Sequence, residues 1–338
     1  MQHQHLSGAG ATFLLEQKLS RYYGKKFALA FSNATTALQA VCLALELHRT
    51  EILTSPINWG GSVAPFLLHG NKLRFTSFDA GSLHLSVNDL PLAVTSKTKA
   101  VLSVDYHGTS VNSKAIKDFC TKHGLYYISD SAQSLGAYHH TKPAGFFADL
   151  VVLSFSPGKS LFAGEGGAIV TDDEAIYEKL LWYSQHPSRQ KAVLGLSHYN
   201  AYAPLNGRMN PLSAILLNYT FDDSLIDLKK HQGKCFEVLQ QLQQENLIDE
   251  TPHLPSLDSS TFFNYSLQLK PSVGLKRVNE FLKDKKQELM ATPSLLELIP
   301  FDNSFRKQFS RRFSCSENLL KQKSSVLFND LITLNATS

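Results

Sequence analysis

Lys159 stands in the turn Ser156-Pro157-Gly158-Lys159-Ser160, between two short apolar runs, Val151-Val152-Leu153 and Ala168-Ile169-Val170. An apolar neighbourhood strips water from an ammonium, lowers its pKa and frees the neutral amine to attack a carbonyl, which is what a Schiff-base lysine requires. Taken alone, a lysine in a turn is more simply a solvated charge; two other stretches argue against that. Leu125-Tyr126-Tyr127-Ile128-Ser129-Asp130 begins as the apolar run of a parallel strand buried on both faces and ends in a carboxylate, at the edge where open α/β sheets bind ligands. Phe27-Ala28-Leu29-Ala30-Phe31 runs into Ser32-Asn33 and then into a good helix former, Ala34-Thr35-Thr36-Ala37-Leu38. The unpaired N–H groups and the dipole at such a helix start make a phosphate site.

An amine, a strand-end carboxylate and a phosphate-holding helix start are together what pyridoxal 5'-phosphate needs: the aldehyde meets the amine, and the protonated pyridine nitrogen meets the carboxylate. These stretches resemble those of the DegT/DnrJ/EryC1/StrS group of sugar aminotransferases, within the fold-type-I enzymes that use this cofactor. Ser32 to Leu38 is similar to the family's Ser-x-Gly-Thr-x-Ala-Leu, with Ala34 in place of the glycine, and the resemblance puts Thr35 and its neighbouring amides on the phosphate. Asp130-Ser131-Ala132-Gln133 resembles the Asp-x-Ala-Gln/His motif, which implies Asp130 on the ring nitrogen and Gln133 near the ring hydroxyl. Ser154, five residues before Lys159, has the family spacing for a phosphate hydroxyl, and Gly164-Glu165-Gly166-Gly167 matches the segment after the lysine. Trp59 occupies the place of the aromatic residue that stacks on the ring; Asn206, in Asn206-Gly207-Arg208-Met209, resembles the asparagine that reaches the phosphate of a neighbouring subunit.

The resemblance therefore implies a homodimer with active sites at the interface, and a ping-pong transamination. Glutamate or glutamine would donate, and the acceptor would be a keto substrate, most plausibly a keto-sugar carried on a nucleotide. Lys159 and Asp130 are the expected catalytic pair. A non-sugar ketone, a dehydration, or a cofactor-holding protein with a regulatory role are the alternatives. The related dehydratases carry histidine at the lysine position, which Lys159 argues against. Met290 to Pro300 stands where sugar-nucleotide enzymes of the family carry a tyrosine- and proline-rich segment with a histidine.

The elements that must position these residues are legible in the periodicity. Apolar spacing predicts a helix from Thr12 to Tyr23 closed by Gly24, a strand Phe27 to Phe31, a helix to about His48, and a strand Glu51 to Ser55. An edge-like strand follows from Lys72 to Asp79, then a buried strand Ala100 to Tyr106 ending at His107, and an amphipathic helix Ser113 to His123. Alternating strands and helices imply right-handed crossovers and a mainly parallel sheet. Beyond the lysine, the pattern predicts a helix Asp172 to Ser184, a loop His186 to Pro204 whose Ser188-Arg189-Gln190-Lys191 meets substrate or solvent, and a helix Asn210 to Ile248 broken near Asp222-Asp223. A strand Thr261 to Leu269, a helix Val273 to Lys286 and a closing helix near Ser316 to Leu327 complete it. The pattern is thus α/β, and the resemblance implies that the fold is the fold-type-I, aspartate-aminotransferase-like one. A large cofactor-binding domain spans 1–220, its mainly parallel mixed sheet flanked by helices, and a smaller α+β domain spans 221–338.

With 43% hydrophobic and 18% charged residues and a net charge of +4, the composition is that of an ordinary globular protein. The mild positive charge suits an anionic cofactor, and without a basic cluster it excludes nucleic acid. No apolar run reaches the length of a membrane span. Cys42, Cys120, Cys235 and Cys315 lack paired or metal-ligand spacing, the usage of a reducing cytoplasm, and His3 and His5 have no further ligand nearby, so no metal is expected.

Overall fold

A computed structural model describes residues 9–79, 82–195, 205–248, 257–270, 272–285, 289–293, 300, 307–308, 312–317, 319 and 331–336 of the chain. In order, its elements are α1 (Gly10–Tyr23), β1 (Phe27–Phe31), α2 (Ala34–Ala44), β2 (Glu51–Thr54), α3 (Gly60–Leu68) and β3 (Lys72–Phe75). Then come α4 (Leu90–Ala93), β4 (Thr98–Val104), α5 (Ser113–His123), β5 (Tyr126–Asp130), the small hairpin β6 (Tyr138–His139) and β7 (Lys142–Pro143), β8 (Leu150–Ser154) and β9 (Gly167–Thr171). They are followed by α6 (Glu174–Ser184), α7 (Pro187–Leu194), α8 (Pro211–Gln244), β10 (Ser266–Gln268), α9 (Leu275–Asp284), β11 (Leu289–Pro293), β12 (Phe313–Cys315) and β13 (Leu331–Ala336).

Eight strands form one sheet in the order β1-β9-β8-β5-β4-β2-β3-β12, with β9 antiparallel to both its neighbours and the pairings from β8 through β12 all parallel. The strands are buried on both faces because their side chains alternate between two cores. In β8, Leu150 and Val152 join Leu38, Val41, Phe66 and Leu180 of α2, α3 and α6 on one face. Val151 and Leu153 join Leu15, Leu19, Ile116 and Leu217 of α1, α5 and α8 on the other. A third core, built by Val238 and Leu242 of α8, Leu267 of β10 and Val278 and Leu282 of α9, lies under the antiparallel sheet β10-β13-β11.

Most of the periodic elements stand where the sequence puts them, and the differences have physical causes. The helix of the phosphate site stops at Ala44 rather than His48, because Leu45 caps it and Glu46 turns left-handed at φ 55°. The strand from Lys72 is not an edge: β12, from the far end of the chain, pairs parallel with it. The segment after His186 is the helix α7, started by Pro187 and a His186 side chain that accepts from Ser188 N. α8 runs unbroken for 34 residues through Asp222-Asp223 and through residue 220. The two carboxylates lie on its solvent side, Asp222 accepting from Lys18 at 3.3 Å, where aspartate costs a helix little. Only Ser266–Gln268 of the strand expected from Thr261 to Leu269 is extended. Most of the expected closing helix, His3, His5, residues 196–204 and residues 294–299 lie outside the described residues. Among the described residues no helix is long and apolar enough to cross a membrane, no group of three or more acidic, histidine or cysteine side chains is placed to hold a metal ion, and Cys42, Cys120 and Cys235 are buried outside any disulfide.

Candidate active site

The parallel strands deliver their C-terminal ends to one edge, and the residues singled out by sequence meet there. β1 leads into α2, β2 into Trp59 and α3, β5 ends at Asp130, and β8 ends at Ser154, from which the turn to Lys159 departs. β9 starts back from the same edge at Gly167. A Cβ on Gly167 would lie 2.5 Å from the Asn33 carbonyl carbon and 2.6 Å from Ala34 N, so only glycine lets the returning strand pass beside the start of α2.

At that start the Asn33 side chain accepts from Thr36 N at 2.7 Å and the Asn33 carbonyl takes Ala37 N, which leaves the amides of Ala34 and Thr35 without an acceptor inside the helix. Thr35 is exposed, so its hydroxyl points where a ligand could meet it. The buried Ser154 hydroxyl lies 3.1 Å from that of Ser156 at the end of β8.

Asp130 is 4% exposed. Burial pushes its carboxyl above the usual range, against the opposing pull of the Ser62 hydroxyl, the Ala132 amide at 3.1 Å and the charge of Lys159. Burial likewise lowers Lys159, and Asp130 resists it. The amine lies over the face of Phe263, 3.8 Å from the ring centroid. Trp59 is 70% exposed and leaves an indole face free. Gly61 beside it is a cradle: a Cβ there would come within 2.9 Å of the Thr35 hydroxyl and 3.0 Å of the indole.

Gln133 is tied down at one end. Its side-chain oxygen accepts from His107 N at 2.7 Å, which leaves its amide nitrogen to face a ligand. His107 stacks on Tyr106 and sits left-handed at φ 56°; burial, with His84 adding to it, pushes it down to about 3, so it is a neutral packing residue. Asn206 is exposed, left-handed at φ 42°, in the turn whose Gly207 carbonyl accepts from Ser32 N at 2.8 Å.

Arg189 does not join this group. It is 5% exposed and pairs bidentately with Glu16 of α1, at 2.7 and 3.0 Å, so it is neither a substrate contact nor a surface charge. Ser62 and Phe263 carry no signal in the sequence. Asp105, the residue after β4, carries one that sequence reading passed over, a carboxylate at the end of a buried strand. It accepts from Ser131 and Ser134 hydroxyls at 2.6 and 3.0 Å and from Val111 N at 2.8 Å, holding the turn behind Asp130.

Comparison with known proteins follows the same lines. The family model for the DegT/DnrJ/EryC1/StrS aminotransferase family matches residues 1–333. The chain is 33% identical over 193 residues to a UDP-4-amino-4,6-dideoxy-N-acetyl-beta-L-altrosamine transaminase of Helicobacter pylori, a match to 56% of this chain and 51% of that protein. It is 28% identical over 268 residues to a UDP-2-acetamido-2-deoxy-3-oxo-D-glucuronate aminotransferase of Pseudomonas aeruginosa, covering 79% and 72%. The chain spans about half the length of several of the curated relatives it matches. Its fold matches that of a DegT DnrJ EryC1 StrS aminotransferase from Brucella abortus, with a TM-score of 0.81, 20% identity and coverage of 98% of this chain and 86% of that one.

Proposed function

The chain belongs to the DegT/DnrJ/EryC1/StrS aminotransferase family, and from that premise we propose that it is a pyridoxal-phosphate-dependent aminotransferase that aminates a keto-sugar carried on a nucleotide, with glutamate or glutamine as donor. The observation that carries the reading is the placement, at one strand edge, of the half-buried Lys159 amine within electrostatic reach of the buried Asp130 carboxylate. The residues present fit the cofactor. The open amides of Ala34 and Thr35 and the hydroxyls of Thr35 and Ser154 suit its phosphate, Gly61 leaves room beside Trp59 for its ring, and Asp130 lacks a full complement of partners. The names of the Helicobacter and Pseudomonas relatives support a nucleotide-linked sugar as the acceptor.

Bound there, pyridoxal phosphate supplies a carbonyl that exchanges amino groups and a protonated ring that stores the electron pair set free at the donor's α-carbon. The chain supplies the rest. Lys159 Nζ, made less basic by its surroundings, takes the proton from the donor's α-carbon and later delivers one to the carbon that was the acceptor's carbonyl. Asp130 holds the proton on the ring nitrogen, Gln133 offers its amide nitrogen to the ring hydroxyl, and Trp59 covers one ring face and keeps water from it. Asn206 reaches the phosphate of a second copy. The exposed Phe13 and Leu14 of α1 and Leu212, Ile215 and Tyr219 of α8, on two helices that pack together, support that pairing as apolar side chains left to water. Residues 1–220 serve as the cofactor-binding domain and 221–338 as the smaller one, in a homodimer working in the cytoplasm.

The test is the absorption spectrum of the purified protein with pyridoxal phosphate before and after excess glutamate or glutamine. A visible band should form and give way to a near-ultraviolet one on adding donor. A protein that forms no band, or whose band ignores both donors, is not this enzyme.

A further inference from the structure

Phe263 belongs to none of the motifs, yet it lies against the reactive lysine. Its ring face is 3.8 Å from Lys159 Nζ, and its Cε2 would be 3.6 Å from a Cβ on Gly158, so it packs along the turn that carries the amine. The segment that presents it is held on both sides. Before it, Thr261 N donates to the Gly108 carbonyl at 2.9 Å, the Thr261 hydroxyl to the Gln133 carbonyl at 2.7 Å, and the Thr109 hydroxyl to that of Ser260 at 3.2 Å. A Cβ on Gly108 would fall 1.9 Å from the Thr261 hydroxyl, so this close approach exists only because residue 108 is glycine. After it, Tyr265 enters the small core and packs on Phe262, with ring centroids 5.2 Å apart.

Both neighbours of Phe263 turn left-handed, at a cost to the bulky Phe262. Phe262 sits at φ 56° and Asn264 at φ 47°, left-handed conformations that cost a bulky residue most and persist only where the surroundings over-determine them. A ring that only filled space would not need its two flanking residues turned left-handed to deliver it face-on to an amine. The face of a benzene ring carries negative potential and attracts an ammonium.

We propose that Phe263 is a positioning residue for Lys159: its ring face is the seat the amine occupies whenever it is not bonded to the cofactor. The inference deepens the function proposed above and rests on it. A transaminating lysine is released during each half of the cycle and must then remain beside the carbon whose proton it moves. A seat on a clamped ring restricts a four-carbon side chain that would otherwise sample many rotamers. The charge that acts on the amine from the sheet is the Asp130 carboxylate of β5, and the ring adds a second attraction from the opposite domain.

The test reads the amine without the cofactor. Cyanate carbamylates only neutral amines, so the pH dependence of its reaction with Lys159, followed by mass spectrometry of the Lys159 peptide, gives the amine's titration midpoint. Phe263→Leu keeps an apolar side chain but removes the attraction for the ammonium. Its midpoint should fall by about half a unit to one unit, making Lys159 roughly three to ten times more reactive below the midpoint. Phe263→Tyr should behave as the parent protein. An unchanged or raised midpoint in a folded Phe263→Leu overturns the proposal, since the ring would then only fill or shield the site. If that variant does not fold, Thr261→Val, which keeps the ring and releases its clamp, should move the midpoint the same way, and no movement overturns the seat. The spectral titration with pyridoxal phosphate separates the two readings. A midpoint that shifts as stated in a protein that forms no visible band supports the seat and overturns the proposed function.

Discussion

Two buried carboxylates, Glu16 and Asp130, each feel a neighbouring cation, and the two arrangements are built in opposite ways. Arg189 meets Glu16 through both guanidinium nitrogens, a third contact goes to Gln185 Oε1 at 3.2 Å, and Glu16 also accepts from Ala30 N at 2.8 Å. That carboxylate's lone pairs are spent on α7 and β1, and the pair ties helices to the sheet. Asp130 is as deeply buried but among the described residues meets only the Ala132 amide and the Ser62 hydroxyl, with Lys159 acting on it by charge and itself lying over a ring. A buried carboxylate whose oxygens are all met is framework, whereas one left short of partners is destabilising until something arrives to meet it. The contrast separates the proposed cofactor site from a structural ion pair, although both combine a cation and an acid.

The contrast is broken most decisively by removing one partner from each arrangement. Lys159→Ala should abolish both the visible band with pyridoxal phosphate and all turnover, while the thermal melt of the cofactor-free protein stays near that of the parent. Residual turnover would show that another group does the chemistry. At the framework pair the effect should fall on stability instead. Glu16→Ala strands a buried guanidinium and should cost about 3–5 kcal/mol, read as a lowered melting temperature, whereas Glu16→Met combined with Arg189→Met should recover most of that loss. A single variant as stable as the parent would mean that the pair is not buried in solution.

The same contrast explains what the sequence could show. Lys159, Asp130 and the start of α2 are each announced within about ten residues, by an apolar strand, a capping residue or a glycine turn, so local pattern is enough to find them. Glu16 and Arg189 lie 173 residues apart, and nothing near either one names the other; Arg189, in the polar run Ser188-Arg189-Gln190-Lys191, reads as surface. β12 covers β3 from 240 positions away, as the Arg74–Ser314 contact shows, and so an interior strand with mixed sides looks like an edge. Phe263 is brought to Lys159 by backbone turns that only tertiary packing enforces. Residues that make local structure were legible, and those that join distant segments were not.

Asp130→Asn sharpens the comparison because its two effects should have opposite signs. Losing the charged partner of the ring nitrogen should lower turnover on the order of 10²–10³-fold, the scale of one preorganised electrostatic contact. The cofactor-free protein should melt higher at neutral pH, since a carboxylate that burial disfavours is gone, whereas Glu16→Ala lowers the melt. A lower melt for Asp130→Asn would erase the distinction.

Asp105 tests the same idea through pH. Burial raises its carboxyl from 3.8 to about 6, so across that window the folded protein keeps a proton that the unfolded chain has lost, and stability falls as pH rises. In Asp105→Asn this contribution disappears, and the slope of stability against pH should flatten by up to ~1.4 kcal/mol per unit between pH ~4 and ~6. Buried His84 and His107, pushed down to about 4 and about 3, act in the opposite sense in both proteins, so the difference between the two slopes isolates Asp105. Urea midpoints measured across the window give both slopes, and equal slopes would mean that the carboxyl is not raised.

The smallest effect belongs to Trp59, which unlike Asp130 has little to lose in the protein alone. Its indole is 70% exposed, so Trp59→Ala should leave the melt of the cofactor-free protein nearly unchanged. Its energy appears only when a ring lies on it. Aromatic stacking is worth ~0.5–1.5 kcal/mol beyond area burial, so pyridoxal phosphate should bind roughly two- to tenfold more weakly to Trp59→Ala, with the visible band still formed, and Trp59→Phe should bind nearly as the parent does. Unaltered affinity in Trp59→Ala would place the cofactor ring away from the indole. An altered melt would make Trp59 part of the framework, on the same side of the comparison as Arg189.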